Sequence, residues 1–289
     1  MSDNQLLNQY SEKDVIDANR KVYTNIATTY EEVVFTEDAN NRLKILLSKT
    51  IEILKETKQD ILALDACGGT GQASFILNDL GCETHLVDLS SEMIANMKKR
   101  CSKNNIKIKT INSEINEFFI DNDIKYDLIV FSSALHHLRL PAKILILAME
   151  SLSKGGILLT ISDPTINIQK RSFKILSFLD RTFNHLLINP LVAFKLMFEK
   201  IYGNFSSKNG KERDQGWLSE FHTVYGINDE ELIEELVQNK NYILFHKRYT
   251  AGYTWFFQKV YKIFKFRTSF LLLVSNEELK NISTEFEIQ

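Results

Sequence analysis

The chain has 289 residues, a length that suits one large domain or two small ones. Hydrophobic residues make up 44% and charged residues 25%, ordinary globular usage that excludes collagen-like, disordered and disulfide-scaffold classes. A formal net charge of −2 supplies no whole-molecule field for nucleic acid, and no nucleic-acid partner is expected.

The first 60 residues read as an N-terminal helical cap segment. Leu43, Leu46, Leu47, Ile51 and Leu54 recur at helical spacing there. From residue 61 the pattern changes. Short apolar runs at 61–64, 84–87, 106–111, 126–131 and 156–161 alternate with helical stretches at 72–79, 91–102 and 142–151. Runs without polar alternation suit strands buried on both faces, and strand–helix alternation suits a parallel sheet. The predicted fold is α/β: a doubly wound, Rossmann-like, seven-stranded and mostly parallel sheet. Residues 61–163 and 221–289 form its core, interrupted by a helical lid insertion at 164–220.

Within that insertion the spacing predicts helices over 172–187 and 190–202, the second opened by Pro190. Asn228-Asp229-Glu230-Glu231 resembles a capping box for a helix to about residue 239. Residues 242–248 and 270–274 read as the last two strands. Residues 240–276 carry seven basic side chains and no acidic one, interleaved with aromatics. The plain reading is a hairpin whose aromatics pack inward. The sharper reading is a weak membrane-surface contact through the basic aromatic 240–270 stretch.

Cys67, Cys82 and Cys101 have no C-x-x-C spacing, which fits free thiols in a reducing compartment. The N-terminus lacks the basic start and apolar centre of a secretory signal. No apolar run reaches the roughly 18 residues of a spanning helix. The expected location is cytoplasmic, at most peripheral to a membrane.

The strongest local signal is Asp65-Ala66-Cys67-Gly68-Gly69-Thr70-Gly71, between a strand-like run and a helix-like one. Glycines there let the backbone turn sharply and lie against a ligand, with helix N–H groups facing its polar atoms. Asp88 ends the next strand, where an acid accepts from the ribose hydroxyls of a nucleoside ligand.

Together these residues resemble the class I S-adenosylmethionine-dependent methyltransferases, in their small-molecule, type 11-like branch. The resemblance continues in order through Asn112-Ser113-Glu114, through Tyr126 to Leu138 with its Ser132-Ser133-Ala134-Leu135-His136-His137 loop, and through Leu152 to Leu159. It covers about residues 61–163. The sequence departs from the branch at Cys67, where a loop glycine is usual, and at Asn112, where an acid is usual.

The resemblance implies S-adenosylmethionine as cofactor and in-line (SN2) transfer of its methyl group to a small-molecule acceptor, and the many Phe, Leu and Ile residues of the 164–220 insertion suit one that is apolar or lipid-like. It implies that Asp65 holds the loop near the methionyl amino group and that Gly69 and Gly71 bring backbone against the cofactor. Asp88 would bind ribose, Met93 would pack on adenine, and Asn112 and Ser113 would sit at the adenine edge. Ser132 would line the site near the reacting methyl. Tyr30 would belong to a segment that closes over the cofactor.

His136 and His137 are the candidate catalytic bases, against a plain reading as hydrogen-bonded structural histidines. A metal is not expected, because adjacent histidines lack facing-ligand spacing. His85 reads as structural, His222 as able to reach the cleft, and Asp163 as either acceptor-side or turn-fixing. Two alternatives stand beside the methyltransferase. One is a nicotinamide-dependent oxidoreductase, weakened because Gly69-x-Gly71-x-x-Ser74 lacks the third glycine and the Tyr261-x-x-x-Lys265 pair falls in the wrong place. The other is a cofactor-binding interaction protein without catalysis.

Overall fold

In the computed structural model of the chain, the predicted strand runs close into one seven-stranded sheet. The structure describes residues 9–26, 37–188, 216–250 and 255–279. The helix predicted over 190–202 and the cofactor-side Tyr30 lie outside those residues.

The elements run α1 (Glu12–Ile26), α2 (Glu37–Lys55), β1 (Leu62–Ala66), α3 (Gln72–Asp79), β2 (Glu83–Asp88), α4 (Ser91–Asn104), β3 (Lys109–Asn112) and α5 (Ile115–Asp121). Then come β4 (Tyr126–Ser132), a 3-10 turn at Leu135–His137, α6 (Pro141–Glu150) and β5 (Leu152–Pro164). After a second 3-10 turn at Ile166–Gln169 follow α7 (Arg171–Ile188), α8 (Gly216–Ser219), α9 (Phe221–Tyr225) and α10 (Asp229–Gln238). Last are β6 (Tyr242–Tyr249), α11 (Trp255–Ile263) and β7 (Ser269–Ser275).

The strand order is β3-β2-β1-β4-β5-β7-β6, and only β7 runs antiparallel to its neighbours. After β1 the chain builds outward through β2 and β3, then returns to place β4 on the other side of β1. That reversal opens a crevice at the carboxyl ends of β1 and β4, where ligands of open α/β sheets bind.

Both sheet faces are covered, which explains the unbroken apolar runs. Ile129, Val130 and Phe131 are fully buried, as are Leu158 and Leu159. On one face α5, α6 and α10 supply Phe118, Phe119, Ile144, Leu145 and Leu236. On the other, α2 and α3 supply Leu43, Leu47, Ile51 and Leu77. Helix α2 is therefore a layer of the core, while α1 stands over the strand ends.

Three elements differ from the sequence reading. Helix α4 runs on to Asn104 and is ended by Asn105 in the left-handed region (φ 53°), so β3 starts only at Lys109. Strand β5 starts at Leu152, because Lys154-Gly155-Gly156 is a bulge in the strand rather than a turn before it. A Cβ on Gly156 would meet the carbonyl oxygen of Ser153 at 2.9 Å. And β6 and β7 are not a hairpin, since α11 stands between them with Phe257 and Tyr261 buried.

Candidate active site

The turn after β1 is held from both sides. Gly71 N–H donates to Gly68 carbonyl (2.8 Å), and Gly68 N–H donates to Val87 carbonyl on β2 (3.1 Å). Buried Asp65 accepts from the Ser74 N–H (2.9 Å) and hydroxyl (2.7 Å), pinning the end of β1 to the first turn of α3. Burial raises its carboxyl to about 6, the Ser74 hydrogen bonds opposing. Gly68 leaves no room for a side chain, since a Cβ would stand 2.7 Å from Asp65 Cγ.

Asp88 closes the turn from β2. Its Oδ2 accepts from Gly69 N–H (2.8 Å) and its Oδ1 from Ser90 N–H (2.8 Å). Burial pushes this carboxyl up, while the two amides pull it down. A carboxylate has about four acceptor sites, so two remain for a ligand diol. Cys67 sits in the left-handed region (φ 56°), the conformation that makes glycine usual there. Burial, with the nearby acids adding to it, holds its thiol protonated.

Above this turn lies a cleft of about 1110 Å³, its open mouth included. Asp65, Cys67, Gly68 and Gly69 form its floor, and Asp88, Met93, Ser113 and Ile115 one wall. Ser132, Ser133 and His137 stand on another wall. Helix α1 covers it with Glu12, Val15, Ile16, Asn19, Arg20 and Tyr23, one face at helical spacing.

His136 and His137 part ways. The backbone N–H and Nδ1 of His136 both meet fully buried Asp163, at 3.1 and 2.8 Å, and Thr160 donates to the same carboxylate. His136 is not among the residues lining the cleft. His137 lines it, with Nδ1 3.0 Å from the Ser219 carbonyl and Nε2 3.0 Å from the Tyr23 hydroxyl, whose one proton is shared between Nε2 and Glu220 (2.9 Å). The carbonyl assigns the ring proton to Nδ1. Burial and the adjacent His136 hold His137 well below the usual histidine range, hence neutral.

Ligand-type atoms of His136, His137 and Glu220 lie within 4.8 Å of one another. The two rings pack against each other, centroids 3.8 Å apart, and Tyr23 bonds both His137 and Glu220. Two imidazoles sharing an ion would splay around it, so a hydrogen-bonded cluster describes this group better than a metal centre.

Residues 63–156, which hold the glycine turn, Asp88 and the His136–His137 loop, match the sequence profile of a methyltransferase domain. The chain carries a methyltransferase domain. No curated protein matches it in sequence. Solved structures resemble the whole chain in fold. The plantazolicin methyltransferase BamL, crystallised with a triazolic desmethylPZN analog and SAH, is 15% identical with a TM-score of 0.57, over 95% of this chain and 99% of that one. Magnesium protoporphyrin IX methyltransferase (ChlM) from Synechocystis PCC 6803, with bound SAH, is 13% identical with a TM-score of 0.53, over 89% and 98%. The plantazolicin methyltransferase BpumL, in complex with SAH, is 15% identical with a TM-score of 0.52, over 92% and 97%.

In the methyltransferase domain, Asp65, Gly69, Asp88, Met93, Ser113, Ser132 and His137 come together at the cleft. Gly71 and Asn112 stand behind it. Gly71 (φ 86°) caps α3, and a Cβ on it would meet Met97 Sδ at 2.3 Å, so its bareness serves packing. Asn112 donates to the Asp88 and Leu89 carbonyls (3.0 Å each), tying β3 to the turn after β2. His222 is off the cleft, with Nδ1 3.3 Å from the Gly226 carbonyl. His85 bonds the Tyr126 hydroxyl inside the core.

Sequence reasoning misses Asn19, Tyr23, Gln72 and Glu220. Asn19 Nδ2 donates to the Val15 and His137 carbonyls, leaving buried Oδ1 without a partner among the described residues. Gln72 Nε2 is buried in the same way. The only signal is that positions 12, 15, 16, 19, 20 and 23 share a helix face mixed in polarity, unlike a core helix.

Proposed function

We propose that this methyltransferase takes its methyl group from S-adenosylmethionine and passes it in line to a small, apolar acceptor. The observation that carries the reading is Asp88, fixed by two amides of the turns around it with acceptor capacity left toward the cleft. The donor set fits the cofactor. A ribose diol suits Asp88, an adenine ring suits Met93 and Ile115, and an ammonium and carboxylate suit the partnerless Asn19 Oδ1 and Gln72 Nε2.

When bound, the cofactor supplies an electrophilic methyl on a sulfonium. The chain's own part is to orient, exclude water and manage the acceptor's proton. Helix α1 shields the cleft. His137 is the candidate base for a hydroxyl acceptor by way of Tyr23: its Nε2 lone pair takes the Tyr23 proton while Tyr23 takes the acceptor's, and the Ser219 carbonyl holds the ring. His136 is a positioning residue, which Asp163 fixes behind it. Within the 164–220 insertion, Glu220 reaches Tyr23 over the cleft and makes its described end, 216–220, the acceptor-side cover. A cytoplasmic setting suits the three unbridged cysteines, and among the described residues no helix is long and apolar enough to cross a membrane.

An acceptor screen with apolar phenols and isoprenoid alcohols tests this. The expected result is S-adenosylhomocysteine formation that depends on the acceptor and falls sharply in His137→Ala. Turnover that survives equally in His137→Ala would remove the base assignment.

A further inference from the structure

Helices α7 and α11 form a layer of their own. Both leave the sheet at its ligand-binding edge, where Pro164 at the end of β5 pairs with Ser269 at the start of β7. Phe257, Tyr261 and Phe266 pack on Phe173 and Leu176, and the Tyr261 hydroxyl donates to buried Asp180 (3.1 Å). Phe173, near the start of α7, faces Tyr261 and Phe266, while Phe183 faces Phe257 at the start of α11. The helices therefore run antiparallel.

Taking 100° per residue from those inner contacts, Ile175, Leu179 and Phe183 fall on the same side of the pair as Phe256 and Ile263. That side is bare. Ile263 is 76% exposed, Phe264 63%, Ile175 56%, Phe256 49%, Leu179 47% and Phe183 42%. Six of the thirteen exposed large apolar side chains among the described residues thus belong to one helix pair and the turn after it. Such clustering marks an interaction surface rather than scatter.

The charges have one sign. Lys170, Arg171 and Lys174 stand at the start of α7, and Lys262, Lys265 and Arg267 at the end of α11, all exposed. The antiparallel arrangement gathers these six at one end of the pair; by the same rule Arg171 lies nearest the apolar side, while Lys174 and Lys262 stand on the other side, as on the polar face of an interfacial helix. The only carboxylate in 165–188 or 255–276 is Asp180, already buried against Tyr261. The basic aromatic stretch seen in the sequence is thereby divided. Arg248 on β6 is neutralised by Asp229 and Glu230, Lys240 stands apart before β6, and exposed Lys259, Lys262, Lys265 and Arg267 belong with α11 and the turn after it.

We propose that the α7–α11 face docks on an anionic lipid bilayer. Its apolar stripe enters the boundary between headgroups and acyl chains, and its lysines and arginines meet the lipid phosphates. Docking on this edge brings the bilayer beside the cleft, so the acceptor class is one that partitions into lipid. Only that last step rests on the methyltransferase reading.

Flotation of the full chain with phosphatidylglycerol-containing vesicles tests it, with phosphatidylcholine vesicles alongside. The chain is expected to float with the anionic vesicles, far less with the neutral ones, and less in high salt. Ile263→Glu with Phe264→Glu is expected to lower the bound fraction about tenfold, since both charges would enter the apolar boundary. Lys262→Glu with Lys265→Glu is expected to lower it as well, with S-adenosylmethionine binding and thermal unfolding unchanged in both variants. A parent chain that stays with the unbound protein, or variants that float as well as the parent, would overturn the proposal. So would a parent dimer that Ile263→Glu with Phe264→Glu makes monomeric while neither floats. Flotation without S-adenosylmethionine binding would keep this surface and remove the cofactor reading.

Discussion

Two carboxylates beside the glycine turn do different work because their surroundings differ. Asp88 keeps contact with the cleft and has acceptor sites to spare, so it is the group to meet a ribose. Asp65 is buried and spends its hydrogen bonds on Ser74. Its carboxyl has an ordinary value of 3.8 and stands at about 6 in the fold. Between those values the folded chain holds a proton that the unfolded chain has lost. Stability therefore falls as pH rises from about 4 to 6 and stays lowered at neutral pH, by roughly 2–3 kcal/mol. Asp65→Asn retains an acceptor for Ser74 without the charge. It is expected to raise the melting temperature at pH 7, with the gain shrinking toward pH 4. Equal melting curves for the two proteins at pH 7 would contradict this.

At the scale of elements, the acceptor side hangs on a small junction. Gly226 ends α9 at φ 78°, and a Cβ there would lie 2.4 Å from the Thr165 carbonyl oxygen. Its bareness lets Ile227 N–H donate to Pro164 carbonyl (2.8 Å) and Ile166 N–H donate to Ile227 carbonyl (3.1 Å), which joins β5 to the segment before α10. Gly226→Ala is expected to cost about 2 kcal/mol or more, read as a lower midpoint in denaturant, because neither backbone can move away. The elements most legible in the sequence are those with a single physical cause. The strands show as unbroken apolar runs, and α10 shows through Asn228, whose side chain does accept from Glu231 N–H (3.5 Å). Helix α11 is not legible. Its aromatics read equally well as strand, and only packing against Phe173 and Leu176 decides for a helix.

For the whole molecule, the parallel order of β1 to β5 follows from alternation along the chain, the antiparallel β7 does not, and the ligand crevice follows from where the strand order reverses. The floor of the site, Asp65 to Asp88, is legible because glycines and a strand-end acid sit at short range. The roof is not. Asn19, Tyr23 and Glu220 reach the site from elements far apart in sequence, and nothing local marks them. The same distance hides the pairing of His136 with Asp163, 27 residues on. Floor and roof together form the site for S-adenosylmethionine. Calorimetric titration tests it most directly, using the parent chain and Asp88→Ala with S-adenosylmethionine, S-adenosylhomocysteine and NADH. The parent is expected to bind the first two and not the third, and Asp88→Ala to bind them about tenfold or more weakly, having lost its charged acceptor. Binding of NADH, binding of neither sulfur nucleoside, or an Asp88→Ala variant with the parent's affinity would contradict it.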